Sequence, residues 1–249
     1  MHSCRHAGRL LLVGAAGLAS AATLTGPVAA AAASHAAPGR IAAPGSAVAT
    51  CPGWTALRPP NPGTSTDDLF GVAVLSSSNA WAVGDDSNGA AFHTLIEHWN
   101  GTSWKQVPSP NPHGSSELES VSATSATNAW AVGDDAKGRS VTLRWNGSTW
   151  TQVPSPNVLP AGDDNILYGV AATSASNAWA VGAATAISTG PAFELHWNGS
   201  KWTNMVSPNP GDTSKMFAVA ASSASNAWAV GEFTPDPSGT EHRTLAFHC

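Results

Sequence analysis

The six residues Asn79-Ala80-Trp81-Ala82-Val83-Gly84 recur at residues 128–133, 177–182 and 226–231, always 49 residues apart. A short apolar run precedes each copy. After the first three copies a Trp-Asn-Gly triplet is followed, three residues beyond the Gly, by a second Trp, and then by a Val-Pro-Ser-Pro-Asn segment or a relative of it. A period of about 40 to 50 residues with four short β-type runs is typical of a propeller blade. The repeat therefore predicts an all-β protein.

Within one unit the turn residues divide the chain into four strands. The first unit predicts strands at residues 70–74, 80–84 and 94–99, and a fourth that begins at Trp104. In the second strand Trp81 and Val83 point to one face of the sheet, because side chains alternate along a strand. An Asn-Gly pair joins the third strand to the fourth, and this pair is a strong hairpin signal.

The last unit ends at residues 243–249, which match residues 94–99 and leave no fourth strand behind them. The missing strand is predicted at the other end of the folded region, where residues 54–62 match residues 104–112. We therefore expect a four-bladed β-propeller over residues 51–249, in which the N-terminal strand completes the C-terminal blade and few sheet edges stay free.

The cysteines fit this closure. Cys249 matches Trp99 of the first unit and Cys51 matches Gly101, so the two flank what is a hairpin tip in the complete units. Such positions lie within disulfide range, and we predict a Cys51–Cys249 disulfide. The alternative is a pair of free or intermolecular thiols.

Residues 1–33 have the layout of a secretory signal peptide, with Arg5 and Arg9 before an apolar run and small residues after it. Residues 34–50 are an Ala-, Gly- and Pro-rich linker. We expect a secreted, extracellular protein without a membrane span, the alternative being a retained N-terminal anchor. The chain holds 16 acidic against 11 basic residues, which argues against nucleic acid as a partner.

The Ala-Trp-Ala-Val-Gly strand and its Trp-Asn-Gly-x-x-Trp hairpin resemble the secreted bacterial β-propeller repeats of the kelch, YVTN and BNR-like (Asp-box) group. Asn100-Gly101-Thr102-Ser103-Trp104 approximates an Asp-box but lacks its leading Ser or Thr in the standard register. The resemblance covers residues 51–249 and implies the fold, whereas propellers host many unrelated functions.

Enzymatic activity is not expected. A sialidase-type site needs converging arginines and a Tyr nucleophile, and a galactose-oxidase-type copper site needs Tyr, His and a modifying Cys. The repeats hold only four arginines and one tyrosine, Tyr168. No nucleophile-and-base motif is present in the sequence.

The segments that join strands two and three, and one blade to the next, differ between units and predict a variable loop face that binds the ligand. The candidate ligand-binding residues on this face are Asp67, Asp68, Asp85, Asp86, Asn88, Asp134, Asp135, Asp163, Asp164 and Asp212. Ca²⁺ is the one cofactor that this acidic face could hold, the alternative being solvated carboxylates and Asx turns. His93 and His113 are expected to be loop or strand-end residues rather than metal ligands.

Trp81, Trp130, Trp179 and Trp228 occupy the same position in every unit and predict packing between blades rather than sugar-stacking platforms. The remaining tryptophans leave both interpretations open. Asn100, Asn146 and Asn198 are formal glycosylation acceptors that the hairpin turn also explains. The function predicted is a secreted, non-catalytic, lectin-like module that recognises an extracellular or cell-surface glycan, as a monomer or as the targeting subunit of a larger secreted complex. A protein-interaction scaffold is the first alternative, and a glycan-active enzyme the second.

Overall fold

The computed structural model describes residues 53–160, 162–185, 190–236 and 240–249. The chain separates into two units, of which the second, Thr55–Cys249, carries all the secondary structure described below. The predicted signal peptide, the linker and Cys51 lie outside the described residues. No helix in the described part of the chain is long and apolar enough to cross a membrane.

Four antiparallel sheets follow one another along the chain, and we call them blades 1 to 4. Blade 1 comprises β1 (Thr66–Ser76), β2 (Asn79–Ser87), β3 (Phe92–Trp99) and β4 (Trp104–Gln106). Blade 2 comprises β5 (Ser116–Ser125), β6 (Asn128–Asp135), β7 (Ser140–Trp145) and β8 (Trp150–Gln152). Blade 3 comprises β9 (Asp164–Ser174), β10 (Asn177–Thr185), β11 (Ala192–Trp197) and β12 (Trp202–Met205). Blade 4 comprises β13 (Thr213–Ser223), β14 (Asn226–Thr234) and β15 (Arg243–His248). The all-β, propeller-like succession of blades agrees with the prediction from the repeat.

The first strand of every blade carries a bulge that explains the repeated glycine. The register between β1 and β2 shifts at Phe70, and the same shift recurs in the other blades. The bulge brings the Asp68 carbonyl oxygen so close to Gly84 that a Cβ atom there would overlap it. The glycines that end the other three motifs meet a strand-one carbonyl in the same way. The last residue of the motif is therefore glycine because no side chain fits.

Each blade has two faces, which we name by the side chains of its second strand. The front face bears Trp81 or its equivalent, and the back face bears the alanines on either side of it. The front of blade 1 packs on the back of blade 2, where Trp81 lies 5.0 Å from Trp145 and 5.2 Å from Trp150, between ring centroids. The front of blade 2 packs in the same way on the back of blade 3. These layers of tryptophan, valine and leucine are the core, since a single small sheet cannot bury its own apolar face.

The predicted closure of the ring is not seen. Blade 4 has three strands, and β15 pairs only with β14 within the described residues. Residues 53–63, which hold the predicted closing strand, form no strand, and Trp54 is fully exposed. Cys249 is exposed and makes no disulfide within the part of the chain that is described, so the disulfide to Cys51 stays a prediction. The closed four-bladed ring likewise stays a prediction.

Candidate functional site

The two ends of each blade differ in what they can offer a ligand. At one end the β3–β4 turn packs on the β1–β2 turn, because the indole N–H of Trp99 donates a 3.0 Å hydrogen bond to the Ser77 carbonyl. Asn100 accepts hydrogen bonds from Thr102 and Ser103, so its amide belongs to the turn. The β2–β3 connections and the links between blades lie at the opposite end, and we call this the loop end.

Most of the predicted acidic residues belong to strands rather than to loops, which corrects the sequence analysis. Strands one and two are longer than expected and continue to the loop end, because ladder pairs such as Asp67 with Asp86 and Asp68 with Asp85 extend the sheet. The residues placed in strands are Asp67, Asp68, Asp85, Asp86, Asp134, Asp135 and Asp164, while Asn88, Asp163 and Asp212 lie between strands. Asp85 and Asp135 are buried.

Asp135 is a structural carboxylate. It accepts hydrogen bonds from the backbone N–H groups of Lys137 and Arg139, and its side chain lies 3.0 Å from the Arg139 guanidinium and 2.7 Å from His113 Nδ1. Burial alone raises the pKa of Asp135, but the hydrogen bonds and the positive charge of Arg139 outweigh it and lower the pKa. This carboxylate holds the β6–β7 loop closed and has little capacity left for a ligand.

The other predicted residues between strands make local hydrogen bonds, Asn88 through its side chain and Asp163 and Asp212 through their backbone. Asn88 accepts hydrogen bonds from the backbone N–H groups of Ala90 and Ala91, which is an Asx turn. The backbone N–H of Asp163 donates to Pro160, and that of Asp212 donates to Thr234. No cluster of three or more His, Cys, Asp or Glu side chains suited to a metal ion is found among the described residues.

Among the described residues, the predicted Asp86 borders a cavity together with His93. They face each other across β2 and β3, with His93 Nδ1 3.2 Å from Asp86 Oδ1. Asp86 is largely buried and His93 is more than one third exposed. The cavity beside them has a volume of about 500 Å³ and is lined by Pro62, Asp86, His93, Thr94, Gln106, Val107, Pro108, Ser109 and Asn111. We call it the blade 1 cleft.

The floor of this cleft is fixed by the repeated Pro-Ser-Pro-Asn segment. The Asn111 side chain accepts from the Thr94 N–H at 3.3 Å, and the hydroxyls of Thr94 and Ser109 lie 2.8 Å apart. In blade 2 Asn157 accepts from the N–H and the hydroxyl of Ser140 in the same manner. The asparagine side chain thus accepts a hydrogen bond from a backbone N–H of strand three beyond the point where strand four ends. The sequence carried this signal in the repetition of the segment, but sequence analysis assigned it no role.

A second arrangement that sequence analysis missed lies on the front faces. The first residue of β2, Asn79, contacts His98 at 3.0 Å, and the His98 ring lies 4.4 Å from Trp81. Blades 3 and 4 repeat it, and blade 2 places Arg144 over Trp130 instead. Burial lowers the pKa of His98 and of His196, so the neutral ring is the favoured form. The repeated asparagine therefore orients a ring that packs on the tryptophan.

Two buried glutamates depart from the repeat. Glu97 is fully buried on the back of blade 1, where blade 2 has Leu143, and among the described residues neither of its carboxylate oxygens has a hydrogen-bond partner. Burial, with a smaller contribution from Asp67, raises its pKa from 4.5 to about 7. Burial also raises the pKa of Glu194, which faces blade 4. In both side chains burial favours the protonated acid over the carboxylate.

Glu194 lines a second cavity of about 370 Å³ between blades 3 and 4. This groove is mostly apolar, with Trp179, Met205, Val206 and Phe247 in its wall and Cys249 at its end. It runs along the outer side of β15, the position at which the other blades hold the Trp that begins strand four. The groove exists because blade 4 has no such strand among the described residues.

The arginines and the tyrosine that a sialidase-type site would require lie apart in the described residues. Arg139 pairs with Asp135, Arg144 lies over Trp130, and Arg243 pairs with Glu241. Tyr168 packs 5.8 Å from the Phe217 ring, between centroids. These side chains do not converge on either cavity.

No family model matches the chain, and no curated protein matches it. The solved structures that it resembles include "YCF48 bound to D1 peptide", at 14% identity and a TM-score of 0.31, with 66% of this chain and 61% of that chain covered. Another belongs to the GH130 family of mannoside phosphorylases, said to contain glycoside hydrolases that target β-1,2 mannosidic linkages in Candida mannan. There the identity is 10% and the TM-score 0.41, with 70% and 62% covered. The chain spans about three fifths of the length of both, and neither similarity bears on what it binds.

Proposed function

We propose that the protein is a secreted, non-catalytic binding module that recognises a glycan in the blade 1 cleft. The observation that carries this proposal is the Asp86–His93 pair at the edge of a cavity of about 500 Å³. Sugar hydroxyls need convergent hydrogen-bond donors and acceptors beside an apolar surface. Asp86, His93 and Gln106 offer the first, and Pro62 with Pro108 offers the second.

The proposal assigns no reaction to the cleft. Asp86 is held by His93, and the Thr94, Ser109 and Asn111 side chains hydrogen-bond to one another and to backbone groups. A hydrolytic site would need a second carboxylate placed across the scissile bond from Asp86. The lining of the cleft supplies no second carboxylate.

A glycan array probed with the full chain tests the proposal. We expect binding to one glycan class, lost in the variants Asp86→Asn and His93→Ala. The matched control is Asp163→Asn, which removes an acidic side chain that does not line the cleft. The absence of binding to every glycan, with and without added Ca²⁺, would contradict the proposal.

The second candidate function is a protein-interaction scaffold, and the groove beside β15 favours it. An extended polypeptide could pair with the outer edge of β15 and place an apolar side chain beside Trp179 and Phe247. A pull-down from culture supernatant separates the two candidates. A scaffold retains its protein partner when free sugar is added, whereas a lectin releases it.

A further inference from the structure

The interface between blades 3 and 4 holds an ionisable side chain at a position where the other interfaces hold none. The ladder partner of the front-face valine in strand two is Ile96 in blade 1, Thr142 in blade 2 and Glu194 in blade 3. Ile96 belongs to the apolar cluster between blades 1 and 2, and the Thr142 hydroxyl donates a 2.6 Å hydrogen bond to the Val153 carbonyl. Glu194 therefore departs from the repeat beside the blade that has no strand four among the described residues.

Glu194 is buried with its carboxylate unpaired. The residue is 6% exposed, and neither carboxylate oxygen has a hydrogen-bond partner in the part of the chain that is described. Burial raises the pKa of Glu194, and the Ser207 side chain, which favours the charged form, offsets this only in part. A buried carboxylate without a partner costs free energy, so a partner from outside the chain would be bound strongly.

The Glu194 side chain lines the groove of about 370 Å³ beside β15, where a ligand can reach it. Its ladder partner Val181 packs in one cluster with Ala229 and Phe247, which places Glu194 at the border between the closed part of the interface and the groove. Glu97 is buried and unpaired in the same way, but it lines neither of the two cavities described. Glu194 thus combines an unpaired charge with an open groove.

The lining of the groove indicates the chemistry of its ligand. Its walls are mostly apolar, with Trp179, Met205 and Val219 among them, and Glu194 is its one acidic side chain. Such a groove matches a single cation at the end of an apolar stem, which is the chemistry of lysine. An arginine would bring five N–H donors to a groove with one carboxylate, and most of them would lose their hydrogen bonds to water. The indole ring of Trp179 would also attract an ammonium group.

We propose that the groove binds a lysine side chain of an extended partner polypeptide, whose backbone pairs with the outer edge of β15 and whose ammonium group pairs with Glu194. The edge is available because β15 pairs only with β14 within the described residues. Strand addition supplies affinity, and the groove supplies specificity. The acidic surplus of the chain, 16 acidic against 11 basic residues, favours a basic partner. This inference rests on the second candidate function, the protein-interaction scaffold, and is independent of the glycan site.

Calorimetric titration of the full chain with two synthetic peptides tests the proposal. The first is acetyl-Thr-Val-Lys-Val-Thr-amide, and the second replaces its lysine by norleucine, which keeps the apolar stem and removes the ammonium group. At pH 8 the lysine peptide is expected to bind at least about 10-fold more tightly, because it pairs a buried charge that the norleucine peptide leaves unpaired. This preference should shrink at pH 5, because the raised pKa of Glu194 favours the neutral acid there.

The variant Glu194→Gln keeps the size of the side chain and should abolish the preference for lysine. Glu97→Gln is the matched control and should retain it, since Glu97 is equally unpaired but lies outside the groove. Circular dichroism verifies that both variants fold. Equal binding of the two peptides to the wild type, or a preference that survives Glu194→Gln, would overturn the lysine assignment and leave the scaffold function standing. Binding of neither peptide would overturn both, whereas the glycan array tests the blade 1 cleft separately.

Discussion

Replacement of Glu97 by leucine should stabilise the protein, and the gain should grow with pH. Glu97 occupies the position that Leu143 fills in blade 2, and both of its carboxylate oxygens are buried with no hydrogen-bond partner in the part of the chain that the structure describes. Its pKa in the folded protein is about 7, against an ordinary value of 4.5. Folding therefore favours the protonated acid, and stability falls as pH rises from about 4.5 through 7.

The size of the effect follows from the pKa difference. One pKa unit corresponds to about 1.4 kcal/mol, so the charged form of Glu97 costs up to about 3 kcal/mol above pH 7. The variant Glu97→Leu has no such cost. The difference in free energy of unfolding between Glu97→Leu and the wild type should therefore be about 3 kcal/mol larger at pH 8 than at pH 4.5.

Urea denaturation followed by tryptophan fluorescence measures this difference at the two pH values and equal protein concentration. The reverse substitution Leu143→Glu is the matched control, because Leu143 is equally buried on the back of blade 2. It should create a new loss of stability as pH rises. An equal gain for Glu97→Leu at pH 4.5 and pH 8 would refute the argument, since burial of the charged carboxylate would then cost nothing.

Three further substitutions test how the blades are held together, each by urea denaturation. Trp130→Ala should lower the free energy of unfolding by about 3 to 5 kcal/mol, because the ring is fully buried between blades. Trp228→Ala, at the half-exposed equivalent position, should lower it much less. Equal losses would contradict the packing described. Gly133→Ala should cost at least about 2 kcal/mol, since its Cβ would overlap a β5 carbonyl oxygen, and a neutral result would exclude that bulge. Asn157→Ala removes two hydrogen bonds to β7 and should cost about 1 to 3 kcal/mol, so an unchanged midpoint would contradict its role at the strand edge.

The sequence was a good guide to the parts of the fold that repeat. The period of 49 residues gave the number of sheets, and the Asn-Gly pairs gave the β3–β4 hairpins. The strand-two tryptophan was expected between blades, and three of its four copies are buried there. These features follow from local turn chemistry and alternation, which a single chain displays directly.

The ends of the chain could not be predicted in this way. Equivalent residues predicted that the segment beginning at Trp54 pairs with β15, but residues 53–63 form no strand and Trp54 is exposed. Trp228 is half-exposed because no blade within the described residues packs on the front of blade 4.

The candidate site was predicted only in part, because sequence cannot show which carboxylates are already engaged. Asp86 and Asp135 are equivalent residues in the repeat, yet Asp135 is held by Arg139 and His113 while Asp86 borders a cavity. The difference comes from neighbours supplied by the next strand and the next blade. The role of Asn111 at the edge of β3 was hidden likewise, since its partner Thr94 lies 17 residues away.

The most direct test of the proposed function is calorimetric titration of the best glycan from the array into the wild type and the variants. We predict that Asp86→Asn weakens binding by about 10-fold or more, the loss of one charge-assisted hydrogen bond of roughly 1.5 to 3 kcal/mol, while Asp163→Asn leaves it unchanged. Equal affinities for the wild type and Asp86→Asn would contradict the assignment of the blade 1 cleft as the glycan site.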